Sequence, residues 1–250
     1  MTSTDQAKLS FVTCASNLEI LGKRLLSSPC LRPSGHALVV YFNAPSAAHG
    51  FNAAMAAVAT TAPASAVSWL VWVHQDVFLP EGWDTRFARA LAQALQRFPK
   101  LAVAGVYGVA GAGAAARRAG HVLDRGTLLR ESALLPCLVD SLDELLFAVR
   151  LNSHLQLDPA LGFDFYATDL VLQAQAQGWQ CAVVDVCCEH WSGTPASGAV
   201  PQAVAERIQS SAQVFERKWV QQLPITTPCF NIARPGDVAA FVESIFIKVP

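Results

Sequence analysis

The sequence contains few charged residues and no excess of either sign. Only 15% of its 250 residues are Asp, Glu, Lys or Arg, against about 25% in typical soluble domains. Its 18 basic and 19 acidic residues give a net charge of -1, so no positive field would attract a phosphate backbone. The composition argues against sequence-independent nucleic-acid binding. Because 52% of the residues are hydrophobic, the chain can bury one sizeable core and is not expected to be disordered.

Long apolar segments and an export signal are also missing. No run reaches the roughly 20 apolar residues that a membrane-spanning helix needs, because polar or small residues interrupt each one. Residues 1–10 carry charged and amide side chains in place of the apolar core of a signal peptide. The sequence predicts a cytoplasmic protein without a transmembrane segment. Peripheral association with the inner face of the membrane stays open.

Cysteine occurs seven times, but never in a C-x-x-C pair. An odd number without paired spacing argues against both a disulfide framework and a structural zinc site. Cys187 and Cys188 are adjacent, so on a strand their side chains would point to opposite faces and would be poor joint ligands for one metal. We expect most of these residues to be buried thiols in a reducing compartment.

Apolar runs of strand length alternate with helical patterns along the chain. This alternation predicts one α/β domain, with a mostly parallel central sheet sandwiched by helices. The predicted strands are 9–14, 37–42, 67–73, 101–106 and 181–186. The predicted helices are one that begins at Ser16, with a capping box to Glu19, and those at about 51–58, 85–98, 142–149, 168–177 (Thr168 as N-cap) and 203–222. The uninterrupted apolar run at 37–42 is typical of a central strand buried on both faces, and the Gly- and Ala-rich stretch 108–120 predicts a loop.

Polar residues directly after an apolar strand are the first candidates for a site, because parallel sheets bind ligands at the carboxyl ends of their strands. His74 and Asp76 follow the third predicted strand. An imidazole and a carboxylate one residue apart can converge on one ion, although H-x-D is also common in surface turns. His190 follows the last apolar strand and opens a Gly- and Pro-rich loop at 190–202. It is either another metal ligand or an ordinary half-buried histidine.

Asp169 lies in the first turn of a predicted helix. An acidic residue there usually just interacts favourably with the helix dipole. A carboxylate at the edge of a cleft is also what a general base requires. The residues alone leave both interpretations open.

Several segments occur in a characteristic order and spacing. They are V-H-Q-D-V-F-L (73–79), G-W (82–83), V-A-G-V (103–106), D-E-L (143–145), F-D (163–164), Y (166), D-L (169–170), E-H-W-S-G (189–193), F-E-R-K-W (215–219) and L-P (223–224). Together they resemble the StrF-like branch of the family 2 glycosyltransferases, over about residues 9–224. H-Q-D-V and H-W-S-G are the most specific parts. The resemblance implies the GT-A fold of nucleotide-diphospho-sugar transferases.

The resemblance also implies roles for particular residues. Asp76 matches the last acidic residue of the D-x-D element, which holds a divalent metal against the donor diphosphate. His74 stands where the common motif has its first aspartate, and it is expected to contact the donor. His190 matches a late histidine that can supply another metal ligand. Asp169 matches the catalytic base of an E-D-like motif, with Thr168 in place of the preceding acid.

The nucleotide is expected at the amino-terminal side of the fold. Cys14, Ser16 and Asn17 lie in the first βα loop, where the base normally sits in this fold. Asn52 matches a position that often contacts the nucleotide. Asn43 follows the second strand, where an acidic stretch often binds the uracil or the ribose, so the identity of the nucleotide is open.

The resemblance therefore implies a metal-dependent, inverting glycosyltransferase. It would move a sugar from a UDP-, GDP- or dTDP-sugar to a hydroxyl of a glycan or glycoconjugate, with Mn²⁺ or Mg²⁺ as cofactor. The cation offsets the charge on the leaving diphosphate, and a base takes the acceptor proton. The nucleotide-binding part is expected at about 9–106, the acceptor part at about 107–202 and a carboxyl-terminal helix at about 203–222. The oligomeric state stays open.

Two other functions remain open. Non-acidic residues at His74, Thr168 and Asn43 also fit a catalytically degenerate GT-A-like protein that binds a nucleotide or a carbohydrate. A nucleotidyltransferase is disfavoured, because no G-x-G-[TS]-R-like phosphate loop lies near the start of the sequence.

Overall fold

The chain forms a large mixed sheet with helices on both faces. The computed structural model describes residues 7–32, 35–61, 67–191 and 201–245. Within these ranges the strands are β1 (Lys8–Ala15), β2 (Leu38–Phe42), β3 (Ser68–Val73), β4 (Val77–Phe78), β5 (Leu101–Gly105), β6 (Tyr107–Ala110), β7 (Arg117–Asp124), β8 (Thr127–Arg130), β9 (Cys137–Leu138), β10 (Ser141–Leu142), β11 (Leu146–Arg150), β12 (Gln180–Val183), β13 (Glu189–His190), β14 (Ile225–Thr226) and β15 (Asn231–Ile232). The α-helices are α1 (Leu18–Lys23), α2 (Ala47–Thr61), α3 (Trp83–Arg97), α4 (Tyr166–Ala176), α5 (Gln202–Lys218) and α6 (Asp237–Ile245).

The central sheet has seven strands in the order β2-β1-β3-β11-β5-β12-β9. β1 pairs in parallel with β2 and β3, and β12 pairs in parallel with β5. β11 is inserted antiparallel between β3 and β5, and β9 is antiparallel at the far edge. All the other strands run in one direction. This confirms the predicted α/β fold with a mostly parallel central sheet.

Two apolar layers cover the sheet. Trp83, Phe87 and Leu91 of α3 pack with α1 on one face, and Phe51 of α2 and Leu170 of α4 pack on the other. In α3 the three buried residues recur every four positions, a spacing typical of an amphipathic helix. No helix in the described ranges combines the length and the apolar character needed to cross a bilayer.

A second sheet, in the order β10-β6-β7-β13-β4, brings distant segments to the end of β3. β13 pairs antiparallel with β4, which places His190 opposite Val77. It also pairs in parallel with β7, which places His190 opposite Asp124. This sheet therefore holds His190 beside the residues that follow β3.

The prediction that 37–42 is a central strand is wrong. β2 is the edge strand of the main sheet and pairs only with β1 in the described residues. Val39, Val40 and Phe42 are between 37% and 46% exposed. An apolar run identifies a strand, but the order of strands in a sheet depends on pairings that the run does not encode.

The prediction of a loop at 108–120 is right only for residues 111–116, because β6 and the first half of β7 pair on either side of them as antiparallel strands. A side chain at Gly108 would collide with the Ser141 carbonyl oxygen, and one at Gly120 would collide with the Val106 carbonyl oxygen. Gly120 also has a φ of +98°, which favours glycine. These glycines permit close packing between strands instead of a flexible loop.

Three further local predictions need correction. The second half of the stretch 142–149 is strand β11 instead of a helix, and its apolar residues are buried between β3 and β5. Such short apolar runs fit either structure. The N-cap of α1 is Asn17, whose side chain accepts a hydrogen bond from the Ile20 amide, instead of Ser16. α4 begins at Tyr166, so Thr168 is inside its first turn and Phe165 is the N-cap.

Candidate functional site

A cleft of about 430 Å³ opens at the carboxyl ends of β1, β2 and β3. The starts of α4 and α5 form its other wall. Its lining residues are Cys14, Ala15, Ser16, Asn43, Ala44, Trp72, His74, Gln75, Asp76, Phe163, Tyr166 and Arg207. The position is the one expected for a ligand in a largely parallel sheet.

The His74 ring is held by the hydroxyl of Tyr166. His74 Nε2 lies 2.7 Å from Tyr166 Oη, which also accepts a hydrogen bond from Trp72 Nε1 at 3.1 Å. We assign the ring proton to Nε2, because the Tyr166 hydroxyl can then donate to the Glu144 carbonyl oxygen, 3.4 Å away. Burial lowers the pKa of His74, although the Asp76 carboxylate opposes this shift. This shift favours the neutral imidazole, whose Nδ1 lies 4.0 Å from Asp76 Oδ1.

The His190 ring is held in the same manner from the other side. Its Nδ1 lies 3.0 Å from Asp124 Oδ1, so we assign the proton to Nδ1 as the donor to this carboxylate. Nε2 then carries a lone pair, 3.6 Å from Asp76 Oδ1. A carboxylate that binds the distal nitrogen of a histidine is the usual support of a metal-ligating imidazole.

Asp76 lies between the two rings. Its Oδ1 is inaccessible to solvent and makes no hydrogen bond within the described residues. A buried carboxylate oxygen without a partner is costly unless a cation satisfies it. One ligand atom from each of His74, Asp76 and His190 lies within 4.8 Å of the other two. This donor set and the unsatisfied oxygen fit a divalent metal ion.

Gln75 joins the candidate metal ligands to the first βα loop. Its Oε1 accepts hydrogen bonds from the backbone amides of Ser16 and Asn17, both at 3.0 Å. The side chain therefore fixes the end of β3 against the end of β1. This contact crosses almost 60 residues of sequence, and the sequence analysis did not identify it.

The predicted nucleotide-contacting residues divide into two groups. Cys14 and Ser16 line the cleft, and burial raises the pKa of the Cys14 thiol to about 11. Asn17 and Asn52 do not line it. Asn17 caps α1, and the Asn52 amide exchanges two hydrogen bonds of 2.9 Å with the backbone of Leu157.

Asp169 lies away from the cleft lining. It is 0% exposed, and each carboxylate oxygen accepts hydrogen bonds from the protein. Oδ1 accepts from Trp219 Nε1 at 2.8 Å and lies 2.7 Å from Lys218 Nζ, and Oδ2 accepts from Gln173 Nε2 at 2.6 Å. These contacts tie α4 to the end of α5.

Sequence patterns also do not reveal the roles of Asp124, Tyr166 and Arg207. Asp124 is 66 positions from His190, and only the pairing of β7 with β13 brings them together. Tyr166 belongs to a recognised segment, but nothing in its spacing reveals that its hydroxyl holds His74. Arg207 lies in the predicted carboxyl-terminal helix without a motif around it. Most of the predicted loop at 190–202, including the end of E-H-W-S-G, lies outside the described residues, as do residues 1–6.

No protein-family model matches this chain, and no curated protein sequence does. The chain is distantly similar to a number of solved structures, among them a mannosyltransferase and a protein from STIV. The mannosyltransferase PcManGT from Pyrobaculum calidifontis, solved in complex with GDP-Man and Mn²⁺, is 11% identical with a TM-score of 0.48, over 97% of this chain and 72% of that one. The A197 protein from STIV is 10% identical with a TM-score of 0.44, over 71% of this chain and 82% of that one. Similarity this distant supports no conclusion about activity. Any inference about activity depends on the residues of the site.

Proposed function

We propose that this protein is a divalent-metal-dependent glycosyltransferase that binds a nucleotide-diphosphate sugar in the cleft. The observation that carries the proposal is the convergence of two oriented imidazoles on the unsatisfied Asp76 oxygen. Tyr166 and Asp124 hold the outer nitrogens, so the inner lone pairs of both rings already face a common point. This point lies beside the cleft where the resemblance to family 2 glycosyltransferases expects the donor diphosphate.

The chemistry of the site fits transfer from such a donor. A bound divalent cation would offset the negative charge that grows on the leaving diphosphate. His74, Asp76 and His190 would hold that ion, and the two nitrogen ligands favour Mn²⁺ over Mg²⁺. Cys14 and Ser16 would face the nucleotide, since they line the same cleft at the end of β1. The residues do not discriminate among UDP, GDP and dTDP donors.

Asp169 remains our proposal for the base of an inverting transfer, with a condition that its surroundings impose. Trp219, Lys218 and Gln173 occupy its carboxylate, so it could accept a proton from an acceptor only after the end of α5 moves. The same contacts favour a second candidate function. A degenerate GT-A-like protein would use Asp169 to anchor α5 and would bind a nucleotide without transferring a sugar.

Calorimetric titration with UDP, GDP, dTDP and CDP, each with and without Mn²⁺, tests the proposal. We expect one nucleotide to bind, and only when the metal is present. A transfer assay with sugars of that nucleotide then separates the enzyme from the degenerate binding protein. If no nucleotide binds under either condition, the proposed donor site is wrong.

Replacing Asp124 with asparagine tests the support of His190. An asparagine amide can donate to Nδ1 and so move the ring proton to Nε2, the nitrogen that faces Asp76. We expect the Mn²⁺ affinity to fall about 10- to 100-fold, the usual cost of losing such a partner, as measured by calorimetry. Asp185→Asn is the matched control, because Asp185 pairs with His121 at 3.5 Å outside the cleft lining. Equal Mn²⁺ affinities in the two variants would contradict the assigned tautomer.

A further inference from the structure

Arg207 places a permanent positive charge in the wall of the cleft. Among the described lining residues it is the one lysine or arginine, and its side chain is 47% exposed. It projects from α5, whereas the candidate metal ligands follow β3 and form β13. The cleft therefore has a second cationic wall in addition to the candidate metal centre.

Asp164 fixes the orientation of the Arg207 guanidinium. Nε lies 2.9 Å from Asp164 Oδ2, and Nη2 lies 3.0 Å from Oδ1. Burial lowers the pKa of Arg207, but the hydrogen bonds and charge of Asp164 outweigh this effect and raise it overall. No acceptor among the described residues bonds to Nη1. A planar guanidinium held on one edge presents its remaining donors in a fixed direction.

Little negative charge opposes an anion at this position. Asp76 is the one acidic residue in the described cleft lining, and its oxygen belongs to the candidate metal centre. Burial first, and then the charges of Asp164 and Asp143, raise the pKa of Glu144 well above its usual value, which favours its neutral form. Asp164 itself is buried and already paired with the guanidinium.

We propose that Arg207 binds an anionic oxygen group of a substrate, a phosphate or a carboxylate, through its free Nη1 edge. This inference rests on the proposed function for the identity of the substrate, but not for the site itself. Two sources share the chemistry: the diphosphate of the donor and an acidic group on the acceptor. Asp164 is a positioning residue in either case, because it orients the guanidinium and does not face the ligand.

The test compares the wild-type protein with Arg207→Gln and uses Arg217→Gln, an exposed position on α5, as the matched control. Inorganic pyrophosphate without metal is titrated first. We expect Arg207→Gln to weaken its binding at least about 10-fold, the scale of a lost charge-assisted hydrogen bond, while Arg217→Gln binds it as the wild type does. This arm is independent of nucleotide binding, so failure of the proposed function does not affect it.

Two further titrations identify the source. If Arg207 binds the diphosphate of the donor, Arg207→Gln should weaken the binding of a nucleoside diphosphate with Mn²⁺ more than that of the monophosphate. If Arg207 binds an acidic group of the acceptor, nucleotide binding should be unchanged in Arg207→Gln. Glucuronate should then bind to the nucleotide-loaded wild type and not to the variant. Binding of pyrophosphate, nucleotide and glucuronate by Arg207→Gln as by the wild type would overturn the proposal.

Arg207→Gln leaves Asp164 as a buried charge without its partner, and this cost can prevent the variant from folding. The double variant Asp164→Asn with Arg207→Gln removes both charges and so avoids this cost. It is expected to fold and to show the same loss of anion binding. Retention of wild-type pyrophosphate affinity in the folded double variant would also overturn the proposal.

Discussion

Replacing Asp76 with alanine is expected to abolish Mn²⁺-dependent nucleotide binding without lowering the stability of the fold. Asp76 Oδ1 is the atom on which the inner nitrogens of His74 and His190 converge. Its removal deletes one of three protein ligands, and we expect the Mn²⁺ affinity to fall by at least about 100-fold, beyond the loss of a supporting partner. Calorimetry with MnCl₂, alone and with the nucleoside diphosphate, measures both effects.

The expected stability makes this prediction distinctive. Without metal, Asp76 Oδ1 is buried and makes no hydrogen bond, so it destabilises the folded state. The metal-free Asp76→Ala variant should therefore have a melting temperature equal to or above that of the wild type. Most substitutions of buried residues lower stability. Replacing a residue that is kept for ligand binding is an exception, because it can raise stability. A variant that binds Mn²⁺ like the wild type would remove Asp76 from the metal centre.

Replacing Asp169 with asparagine is expected to have the opposite signature, a large loss of stability. The amide keeps an acceptor for Trp219 but loses the charge that pairs with Lys218. Its NH₂ group also meets a donor, Gln173 Nε2, where the carboxylate accepted. We expect the free energy of unfolding to fall by about 3–5 kcal/mol, the range for breaking a buried ion pair. Urea unfolding measures this change.

The control for Asp169 is Asp158→Asn. Asp158 is the other acidic partner of Lys218, but it lies at the surface. Its loss should cost less than about 1 kcal/mol, as for exposed ion pairs. If Asp169→Asn unfolds no more readily than Asp158→Asn, Asp169 does not anchor α5.

The same variant decides the proposed catalytic role of Asp169. A general base contributes about 10²- to 10⁴-fold to a rate. If Asp169 takes the acceptor proton, folded Asp169→Asn should lose turnover on this scale and keep its affinity for the donor. Unchanged turnover in the folded variant would exclude Asp169 as the base. The two readouts are separable, because stability is measured without substrate.

The sequence predicted the location of the candidate site where simple sheet geometry applies. His74 and Asp76 could be placed at a ligand-binding edge because polar residues end a buried strand there, and α/β sheets bind ligands at such ends. His190 could be added because it also follows an apolar strand. His74 and Asp76 line the cleft together with Cys14 and Ser16. His190 lies beside it, with Nε2 3.6 Å from Asp76 Oδ1.

The parts that could not be predicted depend on contacts between distant segments. Nothing local to Asp124 distinguishes it from an ordinary turn residue, because its role comes from strand pairing with β13. The segment 108–120 has the Gly- and Ala-rich composition of a loop, but the glycines of β6 and β7 pack closely within a sheet. The exposed position of β2 follows from strand order, which its own apolar sequence does not specify.

The position of β11 has a consequence for how the chain must assemble during synthesis. β11 separates β3 from β5, although it is made after both of them. Until residue 150 has been synthesised, the apolar edge of β3 and the whole of β5 lack the partner that joins them. At ribosomal rates of about 5–20 residues per second, the interval from residue 105 to residue 150 lasts about 2–9 s. The nascent chain therefore passes through a stage in which β3 and β5 have unpaired, apolar edges, and such edges expose a chain to aggregation.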